Sequence, residues 1–263
     1  MISAPILEFD NDQRAILEPR QRWTEGEAPR KTVLCFFQDV LQHLANEGKI
    51  KPVHALNSEI GANPIYLVEW EGQTLAVTHP GVGAPLAAGF LEELISMGMQ
   101  QFVVCGGCGV LVHEIASEHV VVVAEAVRDE GTSYHYLPAA RSVSAAPVVT
   151  SAIEGVLQSR EVPYVIGKSW TTDALYRETE RKRAARVAEG CSVVEMEAAA
   201  LFAVAQFRRV DIGQVVYAGD LVVPEGWDRR GWNERFPVRE MLFWLAVEGC
   251  AAIPAGIGYN RAR

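Results

Sequence analysis

Residues 192–207 read Ser-Val-Val-Glu-Met-Glu-Ala-Ala-Ala-Leu-Phe-Ala-Val-Ala-Gln-Phe, a short apolar run followed by a long alanine-rich one. The run Ser192–Val194 is short and carries two β-branched valines, which predicts a buried strand. Glu195–Phe207 is rich in alanine, the best helix former, which predicts a helix that begins where the strand ends. A strand followed directly by a helix is the repeating unit of α/β proteins, so this stretch indicates the fold class.

The same alternation of strands and helices continues on both sides of this stretch. Further strands are predicted at Val33–Phe37, Ile65–Trp70, Thr74–Thr78, Phe102–Cys105, His119–Glu125, Pro163–Gly167 and Ile212–Ala218. Further helices are predicted at Asp39–Asn46, Pro85–Met97, Pro147–Ser159 and Phe236–Cys250. We therefore expect a three-layer α/β/α sandwich around a mixed central sheet, with any ligand at the carboxyl ends of the strands.

Composition and charge limit the partners and the compartment. The 263 residues are 49% hydrophobic and 22% charged, and the formal net charge is -9. This acidic balance argues against a nucleic-acid partner, which requires a basic face. The chain has no signal-peptide core and no apolar run long enough to cross a membrane, so we expect a cytoplasmic protein without a membrane partner. Residues 1–31 are predicted to form an irregular arm, and residues 32–263 a single domain.

The five cysteines follow no regular disulfide spacing, which favours reduced thiols and a cytoplasmic setting. Cys105 and Cys108 form a CxxC pair, but a structural zinc site needs four ligands and the sequence has no second pair. The sequence therefore predicts no metal site and no cofactor.

Two glycine motifs come at predicted strand ends. Gly81-Val82-Gly83 precedes a predicted helix, where backbone N–H groups free of side chains can bind an anion. The run Cys105-Gly106-Gly107-Cys108-Gly109 follows a predicted strand, and its glycines fit a wall where the backbone contacts a ligand. A tight turn would account for either motif without any ligand.

Acidic side chains mark two further strand ends. Glu195 and Glu197 flank Met196 at the junction of strand and helix, where the helix dipole alone would favour them. A carboxylate that enters an apolar helix also needs a partner, and the adjacent hydroxyls of a sugar would supply one. Asp220 follows the strand Ile212–Ala218, where a partly buried aspartate can act as a general acid. A loop-capping aspartate is the alternative interpretation.

Together these motifs resemble the nucleoside phosphorylase family, which includes purine nucleoside phosphorylases and uridine phosphorylases. Val194–Leu201 resembles the family's ribose-binding segment, and Gly106–Gly109 resembles its Gly-Ser-Cys-Gly or Gly-Thr-Thr-Gly loop. Gly81–Gly83 resembles its Gly-Ile-Gly turn, Arg128–Ser133 a segment after the next strand, and Thr171–Tyr176 its Ser-Ser/Ala-Asp-x-Phe-Tyr segment. Any one motif is weak, but these occur in the family's order and spacing over residues 33–220, which makes the resemblance specific.

The resemblance implies an enzyme that cleaves the N-glycosidic bond of a nucleoside with inorganic phosphate as co-substrate. It implies that Asp220 protonates the leaving base, which favours purines over uracil. It assigns ribose binding to Glu195, Met196 and Glu197. It assigns contacts with phosphate or another nucleophile to Gly81, Gly83, Gly106 and Gly107. It assigns base contacts to Cys108, Gly109, Leu175, Tyr176 and Arg181. It also implies a homo-oligomer, as a dimer, trimer or hexamer.

Departures from the family leave the nucleophile open. The family's Gly-Asp-Pro-x-Arg phosphate loop is replaced by Cys35-Phe36-Phe37-Gln38-Asp39, and its phosphate-binding arginine by Val104. Phosphate favours charged donors, whereas water requires none, so a nucleosidase is an alternative. A nucleoside-binding protein without turnover is the alternative outside the enzymes. Trp227 and Trp232 are candidates for a lid over the base, or for core or interface packing.

Overall fold

The computed structural model describes residues 4–24 and 26–255. The strands in this part of the chain are Lys31–Cys35 (β1), Lys51–Ser58 (β2), Gly61–Trp70 (β3), Gln73–Thr78 (β4), Gln101–Val110 (β5), Val120–Asp129 (β6), Ser142–Ser144 (β7), Tyr164–Thr172 (β8), Cys191–Glu195 (β9), Asp211–Val223 (β10) and Gly226–Asp228 (β11). The α-helices in it are Gln38–Asn46 (α1), Ala84–Ser96 (α2), Pro147–Ser159 (α3), Glu180–Ala188 (α4), Ala198–Arg208 (α5) and Phe236–Ala252 (α6).

The strands belong to one mixed sheet. β5 lies between β1 and β10 and pairs in parallel with both. β10 also pairs in the antiparallel direction with β6, and β6 continues through β8 and β9 back to the end of β5. This part of the sheet therefore closes on itself, while β4, β3 and β2 extend from β1 as an open edge. The carboxyl ends of β1, β5 and β10 meet at the same end of the sheet.

Helices cover both faces of this sheet. α2 and α5 pack on one face, and α1, α3 and α6 pack on the other. In α5, Leu201 and Phe202 are fully buried, and burial of such a side chain contributes about 1.5–3 kcal/mol relative to its exposure. The predicted α/β/α sandwich with a mixed central sheet is confirmed.

Three predicted boundaries differ from the structure at positions that matter for the site. The strand predicted to end at Cys105 continues to Val110, because β1, β10 and β9 pair along its length. The helix predicted to begin at Glu195 begins at Ala198. β10 continues past its predicted end through Asp220, with an irregular register between Ala218 and Leu221.

The N-terminal segment before β1 contains one short 3-10 turn, Pro5–Leu7, within its described residues. It lies against α2 and α5, since Ser96 donates a hydrogen bond to the carbonyl of Gln21 and Arg208 donates one to the carbonyl of Gln13. The division into an arm of residues 1–31 and one domain stays a prediction.

The described residues also bear on membranes, metals and disulfides. No helix within residues 4–24 and 26–255 has the length and apolar character needed to cross a membrane. In the same part of the chain, no group of His, Cys, Asp and Glu side chains is arranged to hold a metal ion. The five cysteines, all of which are described, are buried and free of disulfides.

Candidate active site

A cavity of about 850 Å³ lies where the carboxyl ends of β1, β5, β9 and β10 converge. The turn before α2, the segment between β8 and α4, and the connection from β11 to α6 complete its walls. The predicted site residues that line it are Gly107, Cys108, Gly109, Leu175, Tyr176, Glu195, Met196, Glu197 and Asp220. The predicted site residues outside its lining are Gly81, Gly83, Gly106 and Arg181.

Glu195 holds the junction of β9 and α5 in place. One of its carboxylate oxygens accepts hydrogen bonds from the hydroxyls of Ser169 and Thr171, at 2.9 and 2.6 Å. The other accepts the backbone N–H groups of Glu197 and Ala198, at 2.8 and 2.6 Å. These contacts satisfy N–H groups that a helix N-terminus leaves free. Because protein donors occupy both oxygens, we regard Glu195 as a residue that positions Glu197, the candidate ribose ligand, rather than as a ribose ligand itself.

Glu197 lines the cavity with a carboxylate that has only backbone partners. Its Oε1 atom accepts the N–H of Gly83 at 2.6 Å, the backbone N–H of Met196 also interacts with the carboxylate, and no side chain among the described residues donates to it. The residue is only 6% exposed. Burial, reinforced by the nearby Glu195 charge, raises the pKa of Glu197 to about 8. A buried acceptor of this kind suits a ligand that offers paired hydroxyl donors.

The glycines of β5 form a cavity wall made of backbone. Gly107 is exposed to the cavity, and a β-carbon placed there would lie 3.3 Å from the ring of Tyr217. A β-carbon on Gly109 would lie 2.9 Å from Val194 and 3.5 Å from Asp220. These positions are therefore part of a strand with a ligand-facing surface, and not of the loop that the sequence predicted.

Cys108 lies in the same strand but carries no reactive thiolate. Its buried thiol donates to the carbonyl of Tyr217 at 3.3 Å. Burial, together with the Asp220 and Glu195 charges, raises the pKa of Cys108 well above its usual range. A neutral thiol at this position can shape the cavity but cannot act as a nucleophile at neutral pH.

The turn before α2 is occupied by protein contacts. The N–H of Gly81 donates to Nδ1 of His79 at 3.0 Å, and the N–H of Gly83 donates to Glu197. Burial lowers the pKa of His79, so this imidazole is neutral and accepts through Nδ1. Both glycines have positive φ, at 81° and 87°, which favours glycine. The two N–H groups predicted to bind an anion are therefore already engaged within the protein.

Phe36 and Phe37 bring apolar rings to the end of β1. The ring of Phe36 packs over Gly106, where a β-carbon would approach it to 3.1 Å, and against the ring of His79. Phe36 therefore covers Gly106, which explains why this glycine does not line the cavity.

Arg239 of α6 is a cation that the sequence did not single out. Its guanidinium lies 4.9 Å from the ring centroid of Phe37 and forms an ion pair with Asp39 at 2.9 Å. Its Nε atom is buried and has no hydrogen-bond partner. Arg239 lines the cavity together with Tyr217, whose ring adjoins Gly107. A buried cation with an unused N–H group beside the glycine wall is a candidate anion donor.

Asp220 and two tryptophans form another part of the cavity lining. The indole N–H of Trp227 donates to Asp220 at 2.6 Å, and Trp227 is 60% exposed. The carbonyl of Trp232 accepts the hydroxyl of Tyr217 at 2.5 Å, and Trp232 is 41% exposed. Both tryptophans line the cavity and are exposed, which excludes burial in the core; a cover over the ligand and packing at an interface both stay predictions.

Among the charged side chains that line the cavity, the sequence analysis did not single out Glu178 and Arg239, and the predicted base contact Arg181 lies outside the lining. Glu178 belongs to a stretch of charged residues and Arg239 to the helix α6, so no local pattern marks either of them. Arg181 lies exposed on α4. Its side chain is exposed to solvent, as are the charged residues on either side of it.

Comparison with known proteins now identifies the class. A family model described as the phosphorylase superfamily matches residues 30–236. The chain belongs to this superfamily, and the resemblance predicted from its motifs is confirmed.

Particular relatives define the similarity more closely. A guanosine phosphorylase of Halorubrum lacusprofundi is 29% identical over 150 residues, which are 56% of this chain and 61% of that protein. A uridine phosphorylase of Treponema pallidum is 31% identical over 153 residues, which are 54% of this chain and 59% of that protein. The chain thus spans about three-fifths of the length of these curated relatives.

Solved structures share the fold at low sequence identity. Purine nucleoside phosphorylase from Toxoplasma gondii in complex with immucillin-H has a TM-score of 0.76 at 19% identity, over 90% of this chain and 97% of that chain. AMP nucleosidase from Bacteroides thetaiotaomicron has a TM-score of 0.68 at 22% identity, over 84% of this chain and 87% of that chain. These similarities establish the common architecture.

Proposed function

We propose that this chain cleaves the N-glycosidic bond of a purine nucleoside by phosphorolysis, giving the free base and ribose-1-phosphate. The observation that carries the proposal is Glu197, whose buried carboxylate, bonded only to backbone N–H groups, shares one cavity with the glycine wall at Gly107 and with Asp220. A diol acceptor, a backbone wall and an acid are the groups that cleavage of a nucleoside requires. The names of the relatives, guanosine phosphorylase and uridine phosphorylase, support this class of reaction.

Each group has a part in the proposed reaction. Ionised Glu197 accepts hydrogen bonds from the ribose hydroxyls, and Met196 lies against the apolar side of the sugar. The base lies between the Cys108–Gly109 backbone and the segment Leu175–Tyr176. As the bond to the base breaks, positive charge develops on the ribose and negative charge on the base. Asp220 offsets the charge on the base by protonating it.

The base end of the cavity favours a purine. A purine leaves most readily when a ring nitrogen is protonated, and Asp220 is an acid in the right part of the cavity. Arg181, which matches a base-contacting arginine of the uridine branch, is exposed on α4 and outside the cavity lining. The exposed face of Trp227 offers a surface for stacking the base.

The nucleophile subsite supports phosphate through Arg239. This guanidinium lines the cavity together with Gly107, where it compensates in part for the family arginines that this chain lacks. Hydrolysis is the second candidate, and specific observations favour it: the N–H groups of Gly81 and Gly83 are engaged, and Phe36 covers Gly106. Water would need no charged donor at this position.

A product assay separates these alternatives. The protein is incubated with inosine, guanosine or adenosine, with and without inorganic phosphate, and the products are identified by chromatography. Phosphate-dependent ribose-1-phosphate is expected, and the Arg239→Gln variant should raise the KM for phosphate more than the KM for nucleoside. Free ribose formed without phosphate would establish the hydrolase, and binding without any product would refute an enzymatic role.

We also propose that the protein is a homo-oligomer. Apolar side chains are exposed around the cavity, with Val82 at 65%, Tyr176 at 92% and Trp227 at 60%. A second copy that covered them would bury this apolar surface. Light scattering coupled to size-exclusion chromatography measures the assembly mass, and a monomer mass at micromolar concentration would exclude the proposal.

A further inference from the structure

Glu178 is a second carboxyl group at the end of the cavity that contains Asp220. It follows the 3-10 turn Leu175–Arg177 and precedes Thr179, the residue that caps α4. Its side chain lines the cavity together with Asp220 and Trp227. The carboxyl group of Glu178 forms no hydrogen bond or ion pair with any other described residue. A half-buried carboxyl group without a protein partner in a ligand cavity is available to a ligand.

The backbone around Glu178 is held on both sides. The Glu178 N–H donates to the carbonyl of Leu175 at 3.3 Å, and the Arg183 N–H donates to the carbonyl of Thr179 at 2.9 Å. The guanidinium of Arg183 anchors α4 by donating to the carbonyls of Leu111 and, at 2.8 Å, Val222. Glu178 is therefore presented to the cavity from a fixed segment.

The surroundings of Glu178 oppose its ionisation. Burial, together with the Asp220 charge, raises the pKa of Glu178 to about 7. The other titratable or charged groups of the cavity and of the adjoining segment are the neutral Cys108 thiol, Tyr176, Tyr217, Glu195, Glu197, Arg229 and Arg239, with Arg177, Glu180, Arg181, Lys182 and Arg183. None of the cations forms an ion pair with Glu178 or Asp220 among the described residues. Two carboxyl groups that share a cavity without an ion-pair partner favour holding one proton at neutral pH.

We propose that Glu178 and Asp220 form a proton-sharing carboxyl pair that protonates the leaving base. The inference rests on the proposed function for its substrate. The bond between C1′ and the base nitrogen breaks with its electron pair on the base, and the proton of the pair moves to a ring nitrogen. The nucleophile, whether hydrogen phosphate or water, loses a proton to solvent as its oxygen bonds to C1′. The pair then recovers a proton from solvent.

The carboxyl pair should matter only for leaving groups that need a proton in order to depart. A purine departs as a neutral base only after it has accepted a proton, so its release requires the pair. A nitrophenolate is a stable anion and departs without a proton. The pair should therefore accelerate cleavage of purine nucleosides and contribute little to cleavage of 4-nitrophenyl β-D-ribofuranoside.

The first measurement tests the pair without any reaction. The indole N–H of Trp227 donates to Asp220 at 2.6 Å, so the fluorescence of Trp227 responds to the charge of the pair. The signal is the emission of the protein minus that of its Trp227→Phe variant, followed as a function of pH. A step near pH 7, where Glu178 titrates, is expected. Glu178→Gln should abolish this step, and Glu180→Gln, which removes a charge from the first turn of α4, should leave it unchanged.

The second measurement tests the role in catalysis. Relative to kcat/KM for the nitrophenyl riboside, kcat/KM for inosine should fall as the pH rises through about 7, because only the inosine reaction uses the proton that the pair then loses, whereas ionisation of Glu197 affects both substrates alike. Glu178→Gln should lower kcat for inosine by about 10²-fold, the lower range for general acid catalysis, and should remove this descending limb. The same variant should cleave the nitrophenyl riboside within about threefold of the unsubstituted protein, because a structural defect would affect both substrates alike.

Each result has a defined meaning. A fluorescence step that persists in Glu178→Gln would overturn the pair, and so would an equal loss of activity on both substrates. A step that vanishes in Glu178→Gln, in a protein that cleaves no nucleoside, would support the pair while refuting the proposed function. Loss of the step together with selective loss of inosine cleavage would establish both.

Discussion

Replacement of Glu197 by glutamine tests the ribose site at its central contact. The Oε1 atom of Glu197 accepts the N–H of Gly83 at 2.6 Å, and glutamine retains an oxygen for that bond. The substitution therefore changes mainly the second oxygen, which becomes an NH₂ group and can no longer accept a ribose hydroxyl. A hydrogen bond to a charged group contributes about 1.5–3 kcal/mol, which corresponds to a factor of roughly 10 to 150 in kcat/KM for each hydroxyl lost.

The assay is a cycle of two enzymes and two substrates. The kcat/KM values for inosine and 2′-deoxyinosine are measured with the unsubstituted protein and with Glu197→Gln. For each protein, kcat/KM for inosine is divided by kcat/KM for 2′-deoxyinosine. This quotient should be roughly 10 to 150 times larger in the unsubstituted protein than in Glu197→Gln, because only the unsubstituted protein binds the 2′-hydroxyl through a carboxylate. Intrinsic differences in the reactivity of the two substrates cancel in this comparison. Identical ratios in both proteins would refute the assignment of Glu197 to the ribose.

Three further predictions concern pH, the turn before α2 and the base end. Nucleoside binding should tighten as the pH rises towards 8, because burial and the Glu195 charge raise the pKa of Glu197 to about 8 and the ionised form accepts the diol. Calorimetry should show a Kd that increases by up to about tenfold for each pH unit below that value, and a Kd independent of pH would contradict the assignment. Gly81→Ala should lower the melting temperature more than Gly83→Ala, because both have positive φ but only the Gly81 β-carbon would approach Leu86, to 2.5 Å; equal melting temperatures would exclude the clash. Trp227→Ala should weaken binding of a free purine by roughly tenfold, since stacking of a base on an aromatic ring contributes about 1–3 kcal/mol, and an unchanged affinity would remove Trp227 from the base site.

Much of the fold follows from local sequence patterns. α3 spans Pro147–Ser159, as the sequence predicts, because proline at its start and apolar spacing along one face agree with the tertiary packing. β2 was missed because Lys51–Ser58 lies at the open edge of the sheet and contains few fully buried residues. Edge strands lack the continuous apolar run that marks a central strand.

The glycine motif of β5 shows where local propensity fails. Gly106, Gly107 and Gly109 weaken a strand in isolation, which predicted a loop after Cys105. In the folded chain β1, β10 and β9 supply hydrogen-bonding partners on both sides, and the rings of Phe36 and Tyr217 pack where side chains are missing. Tertiary pairing thus overrides the propensity, and nothing within the motif itself indicates these partners.

The site was predictable only where its residues are adjacent in sequence. Glu195–Glu197 forms a recognisable local motif, and the sequence located it correctly in the cavity. Glu178 and Arg239 reach the cavity through the packing of α4 and α6, which depends on contacts between distant parts of the chain. Glu178 also lies beside a charge run that predicted only a solvated helix face. The roles assigned to all these residues stay predictions until the experiments above are done.

The backbone wall of β5 limits how the substrate range of this protein can change. No methyl group fits on Gly109 without displacing Val194, and one on Gly107 would crowd Tyr217. Movement of the strand would disrupt its pairing with three neighbours. Substitutions that enlarge or reshape the chamber should therefore succeed first in the connection from β11 to α6 that carries Trp232, which is exposed and lies outside the strands of the sheet.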